Sequence, residues 1–223
     1  MEKLQENSIL YEDNHILVVK KPVNMPVCAD DSHDINLLDE LKLYLKEKYN
    51  KPGNVYLGLV HRLDRPVSGV MVFAKTSKAA SRLSAQVRDN ILKKTYYAVV
   101  EGTIPESGQM VDYMKKDEKK NISYVTNSND GKKAILDYVV TKRKDNLNLV
   151  KINLVTGRSH QIRVQMSSRG YPLVGDQKYN KNAKKGVNVA LFAKILEFEH
   201  PVKKEKMKFE IELPNCYPFS LLK

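Results

Sequence analysis

Between Val60 and Thr76 the chain reads Val-His-Arg-Leu-Asp-Arg-Pro-Val-Ser-Gly-Val-Met-Val-Phe-Ala-Lys-Thr, and no other stretch limits the possible folds so tightly. Val70 to Ala74 is an unbroken apolar run with β-branched and aromatic members, too short for a buried helix and suited to a strand covered on both faces. The loop before it packs His61, Arg62, Asp64 and Arg65 into five positions. Pro66 fixes its own φ and keeps Arg65 out of the helical region, and Gly69 permits a positive φ at the strand entry. Leu63, set among the charges, can anchor the loop in a core. Asp64 therefore belongs to a loop held in one shape, beside cations that favour its ionised form. Composition alone also allows a plain solvated ion-pair loop.

The chain has 223 residues, 42% hydrophobic and 29% charged, with a formal net charge of +12. That length supports one well-cored domain with room for two lobes. The excess of positive charge points to a polyanion, with RNA or DNA ahead of an acidic membrane, or to a generally basic, solubilising surface. Cys28 and Cys216 are far apart and lack ligand-like neighbours, which argues against a disulfide framework or a zinc site and fits a reducing cytoplasm. Met1 to Asn7 is polar, so no signal peptide is expected. No apolar run approaches the ~20 residues of a membrane span.

Ile9–Tyr11 and Ile16–Lys20 pattern as a hairpin around a Glu12-Asp13-Asn14 turn, ending at Lys21-Pro22. Asn24 tolerates a left-handed backbone. Leu37, Leu38, Leu41 and Leu45 predict a helix over 34–49 capped by Asp34, and Val55 to Val60 a strand. Thr76-Ser77 caps a helix over 78–88. Lys93 to Gly102 alternates as a strand, so Tyr96 and Tyr97 face opposite sides. Residues 114–133 are rich in lysine and are expected to form exposed loops. Ala134–Arg143 and Leu147–Val155 are strands about a turn. Gly157 permits a sharp strand-to-helix turn, with Ser159 as cap and His160 and Arg163 on one helix face. Val189–Phe198 and Met207–Leu213 close the chain, with His200-Pro201 between them.

Several of these motifs together resemble the RluA-type pseudouridine synthases. His61-Arg62-Leu63-Asp64 followed by Ser68-Gly69 and an apolar strand is similar to that family's signature. So are Lys94-x-Tyr96-x-Ala98 with Gly102, Thr156-Gly157-Arg158-x-His160-Gln161-Ile162-Arg163, and the His200-Pro201 ending. The likeness spans about residues 8–214. Val67, Asn24, Gln165, Tyr171 and Phe192 depart from common family residues, and Gln165 and Tyr171, just past Arg163, bear on substrate choice rather than activity. The resemblance implies an α+β fold: a large mixed, mostly antiparallel sheet flanked by helices, with a central basic cleft. It also implies a single catalytic domain, for the few residues before the first strand leave no room for an N-terminal accessory RNA-binding domain.

The implied reaction is isomerisation of uridine to pseudouridine in ribosomal or transfer RNA, without metal or redox cofactor, by a cytoplasmic, membrane-free protein expected to be a monomer. Asp64 would be the catalytic carboxylate. Arg163 would pair with it and keep it ionised, Arg62 would fill the space left by a flipped uridine, and Tyr96 would stack on the base. Read without the resemblance, Tyr96 is also a good core tyrosine. Two other functions remain consistent with the residues: a non-catalytic RNA-binding protein using the same basic surface, and a metal-dependent hydrolase on His61, Asp64 and His160. Flanking arginines count against the second, since they would repel a cation.

Overall fold

The computed structural model describes residues 8–30 and 32–222. Met1 to Asn7, read above as polar and without signal character, lie outside them. The chain forms two compact units. One comprises the residues up to Lys93 together with Ile195–Ile211, and the other Lys94–Lys194 with the residues from Glu212 onward. The class is α+β, with three α-helices among the described residues. No helix among the described residues is long and apolar enough to cross a membrane.

In the first unit, β1 (Ile9–Glu12) and β2 (Ile16–Lys21) make the expected hairpin. Asp13 shapes its turn by accepting the amides of His15 and Ile16 at 2.8 and 2.9 Å. Burial alone would raise the Asp13 pKa; those two amides and the His200 ring outweigh it and hold it at about 2. β2 pairs antiparallel with β4 (Ser68–Ala74). β4 is followed in the sheet by the part of β10 (Leu191–Glu199) that belongs to this unit, and β11 (Lys206–Glu210) pairs with that part. Alternate residues Ile16, Val18, Val70, Val72, Ala74, Leu196 and Phe198 form one buried face with Ala79 and Leu83 of α2 (Ser77–Arg88). Leu17, Val19, Met71 and Phe73 are fully buried as well, which explains the unbroken apolar run of β4. Each such side chain contributes roughly 1.5–3 kcal/mol on leaving water.

α1 spans Leu37–Lys48, three residues later than expected, and its cap is Asn36, whose side chain accepts the Asp39 amide. Asp34 is engaged by Arg65 instead. The strand expected over 55–60 shrinks to β3 (Gly58–Leu59), paired with the end of β4, because His61 replaces a main-chain partner, as described below. Glu12 gathers Lys75 at 2.6 Å, Lys48 at 2.7 Å, Tyr49 at 2.7 Å and Tyr44 at 3.0 Å. Burial opposes its charge, but the bonds from Lys48, Lys75 and Tyr49 prevail and lower its pKa from 4.5 to about 2.

The second unit carries strands in the order β5 (Lys93–Glu101), β9 (Leu147–Leu154), β8 (Lys132–Lys144), β6 (Ser107–Asp117) and β7 (Ile122–Thr126), with β5 beginning one residue before the unit boundary. Their pairings are antiparallel. Residues 114–133 are thus mostly strand rather than exposed loop. Only Met110 and Met114 on β6 and Ser123 on β7 are buried, so the lysine-rich solvent face hid the period of two. α3 (Gln161–Ser167) lays Val164 on Met114 and Ala134. Its cap is His160, in the left-handed region at φ 54° and without a side-chain cap bond, rather than Ser159. Gly157 is not among the positive-φ glycines, whereas Gly69 is, at φ 140°.

Candidate active site

Arg62 and Asp64 lie in the first unit, on the loop between β3 and β4. Five contacts hold that loop. His61 is buried, and its Nε2 accepts the amide of Val72 in β4 at 3.2 Å, which makes His61 a pin for the loop. Leu63 is 7% exposed and sits in the core. The Val67 amide donates to the Asp64 carbonyl at 2.9 Å, closing a tight turn over Arg65-Pro66. Arg65 reaches out of that turn to Ser32 at 3.0 Å and to Asp34. The hydrogen bond from Arg65 holds the Asp34 carboxyl below its usual range. Between these supports Asp64 is half-buried and Arg62 is exposed.

The fifth contact was not anticipated. Lys21, at the end of β2, is fully buried. Its ammonium donates to the carbonyls of Pro22 and Met25, each at 2.7 Å, and of Arg65 at 3.0 Å. Ser68 Oγ donates back to the Lys21 carbonyl at 2.8 Å. Burial pushes the Lys21 pKa down to about 7, against the upward pull of the Asp64 charge. A buried cation therefore stands within electrostatic reach of Asp64. The Lys-Pro pair closing the hairpin was the available signal, and it reads there as a strand end.

Tyr96 and Arg163 lie in the second unit. Tyr96, on β5, is 5% exposed and sits opposite Ile152, while Tyr97 turns the other way, under the Lys194 ammonium. Arg163 is buried on α3. Its Nε and Nη2 each donate to Asp176 at 2.7 Å, a two-pronged, charge-assisted pair. Its guanidinium lies 5.1 Å from the Tyr179 ring centre. Tyr179 Oη meets His160 Nδ1 at 2.7 Å and accepts the Ser123 amide at 2.7 Å. Asp176 and Tyr179 were missed because the spacing of carboxylate and guanidinium, thirteen residues apart, follows no helical or strand period.

His160 and His61 are thus each committed to protein partners. Among the described residues no cluster of three His, Cys, Asp or Glu side chains could hold a metal ion. Gln165 is fully buried and donates to Asp112 at 2.6 Å. Asp112 in turn takes Arg169 at 2.8 and 3.1 Å, so Gln165 serves the packing of α3 on β6.

The sequence pattern of the RNA pseudouridylate synthases matches residues 15–168, a span that contains Lys21, Arg62, Asp64, Tyr96 and Arg163. The chain is 34% identical to the ribosomal large subunit pseudouridine synthase C of Buchnera aphidicola, over 96% of its own length and 68% of that relative's. It is 35% identical to the ribosomal large subunit pseudouridine synthase D of Pseudomonas aeruginosa, over 95% and 70%. Among solved structures, human RNA pseudouridylate synthase domain containing 4 superposes with a TM-score of 0.78 at 24% identity, covering 93% of this chain and 89% of that one; the likeness establishes a shared fold. With more than half its length matched and relatives of that similarity, the chain belongs to the RluA-type RNA pseudouridine synthase family.

Proposed function

We propose that the protein isomerises specific uridines to pseudouridine in ribosomal or transfer RNA in the cytoplasm, with Asp64 as the catalytic carboxylate. The reaction breaks the bond from ribose C1′ to uracil N1, turns the base, and joins C1′ to C5, which loses its proton while N1 takes one up. Attack on the sugar, attack on the base, and removal of a ribose proton all require an ionised carboxylate. The observation that carries the assignment is the support of one half-buried carboxylate by His61, Leu63, Arg65 and Lys21. Such rigidity is what a reacting group needs and a solvated ion-pair loop does not.

In this reading Arg62, exposed beside Asp64, occupies the gap left by the flipped nucleotide. Tyr96 offers its ring to the base, and Arg163 supplies the positive charge that favours ionised Asp64. The charge of +12 draws the phosphate backbone. The test is release of the carbon-5 hydrogen from tritiated uridine in ribosomal and transfer RNA transcripts. Asp64→Asn should abolish release while RNA affinity stays within a few-fold of wild type, because the side chain keeps its shape and loses only its charge. Normal release by a folded Asp64→Asn protein would overturn the assignment.

A further inference from the structure

Lys94 stands apart from the other lysines of the second unit. It lies two residues before Tyr96 on β5, so the two side chains leave the strand on the same side. Burial pushes its pKa down, and no acidic side chain counters that shift. Among the described residues its ammonium makes neither a hydrogen bond nor an ion pair. Lys21, whose pKa burial also pushes down, has three carbonyls about it. A largely desolvated cation without a partner is costly, and a protein keeps one where a ligand supplies the missing charge.

The surroundings of Lys94 are built. Its Nζ faces Gly157, and a Cβ on that residue would lie 3.4 Å away. Gly157 does not occupy the left-handed region, so its backbone does not demand a glycine, and the missing side chain leaves the space beside the ammonium open. The turn is rigid. Gln161 Oε1 accepts Thr156 Oγ1 at 2.8 Å and the Arg158 amide at 3.0 Å, and Gln161 Nε2 donates to the Ile135 carbonyl at 3.0 Å. Arg158 is tied by its Nε to the Lys133 carbonyl at 2.9 Å, leaving further donors of its guanidinium beside the same turn.

We propose that Lys94 and the open space at Gly157 bind a backbone phosphate of the RNA next to the uridine that Tyr96 engages. This rests on the synthase reading above. Two residues along a strand span about 6.7 Å, a reach comparable to that from a nucleobase to its own phosphodiester. Lysine suits the task, being a point charge with rotatable donors that holds phosphate without reading a base.

The test compares wild type, Lys94→Met, Lys94→Arg and Gly157→Ala on a large-subunit ribosomal RNA transcript carrying tritiated uridine. Lys94→Met should lower the steepness of log Kd against log salt by about 0.7–0.9, the loss of one phosphate contact, with its kinetic cost falling on KM more than on kcat. Lys94→Arg should keep the wild-type slope. After random ethylation of the phosphates, wild type should be blocked by ethylation at one phosphate beside the converted uridine, and Lys94→Met should not. An unchanged slope with an unchanged ethylation map would overturn the proposal. Should Lys94→Met fail to fold by circular dichroism, Gly157→Ala decides: loss of that one ethylation effect supports the site, and wild-type behaviour sinks it. Absence of hydrogen release by wild type would sink the synthase reading instead, and the slopes would still report on Lys94.

Discussion

The Lys21 ammonium donates to the main-chain carbonyl of Arg65 at 3.0 Å, so the Arg65-Pro66 peptide, one residue past Asp64, is moored to the end of β2. Two strands adjacent in the sheet but distant in sequence thereby share one fixed point. The lysine does this while wholly removed from water.

Replacing Lys21 by Met should destabilise the protein by about 2–4 kcal/mol, because three buried carbonyls lose charged donors at once. The difference should depend on pH. The folded-state pKa of about 7 lies below the ordinary 10.5, so between these values the unfolded chain holds more protons. Stability contributed by Lys21 must then rise as pH climbs from 7 toward 10.5. Urea titrations of wild type and Lys21→Met across that window should diverge upward; a constant difference would contradict the burial of the ammonium.

Glu12 should behave in the opposite sense. Its pKa is held at about 2 against an ordinary 4.5, so its stabilising effect is complete above about 4.5 and is lost as pH falls toward 2. The stability gap between wild type and Glu12→Gln should therefore narrow over that interval and stay level from pH 5 to 7. Denaturant midpoints at stepped pH measure it.

Asp176→Asn should cost roughly 3 kcal/mol or more, since it removes the charged half of a buried fork around Arg163. Asp64→Asn should cost less than about 1 kcal/mol, because Asp64 is only half-buried. Thermal melts of the two variants separate a carboxylate kept for architecture from one that the proposed function assigns to chemistry.

For Tyr96 the expected pattern is divided. Tyr96→Phe should retain RNA affinity and slow turnover, whereas Tyr96→Ala should impair both, because the proposed function gives the ring and the hydroxyl separate jobs. Wild-type turnover by Tyr96→Ala would return the residue to the core, where its 5% exposure already fits.

The sequence made local order legible and long-range order obscure. The first hairpin, β4, α2 and β5 could be read because Ile16–Lys20, Val70–Ala74 and the Thr76 cap each carry their signal within a few residues. The left-handed Asn24, observed at φ 60°, was legible for the same reason. β6 and β7 escaped because their buried positions are too few among lysines to mark a period. Asp34 looked like a helix cap because no local rule shows that Arg65 would claim it. At the site, the motif residues were visible as a pattern, but the groups that hold them were not. Lys21 acts across forty-four residues to Arg65, and Tyr179 acts across fifty-six to Ser123.

That last contact also bears on the open edge of the sheet. β7 ends the strand order of the second unit, and a terminal strand offers open amides on which a neighbouring chain can add a strand. The Ser123 amide is already spent on Tyr179 Oη. Lysines at 115, 116, 119 and 120 crowd the hairpin that β7 completes. Tyr179 thus closes one open amide of that border, and a hydroxyl that braces His160 also leaves a neighbouring strand one donor fewer to pair with.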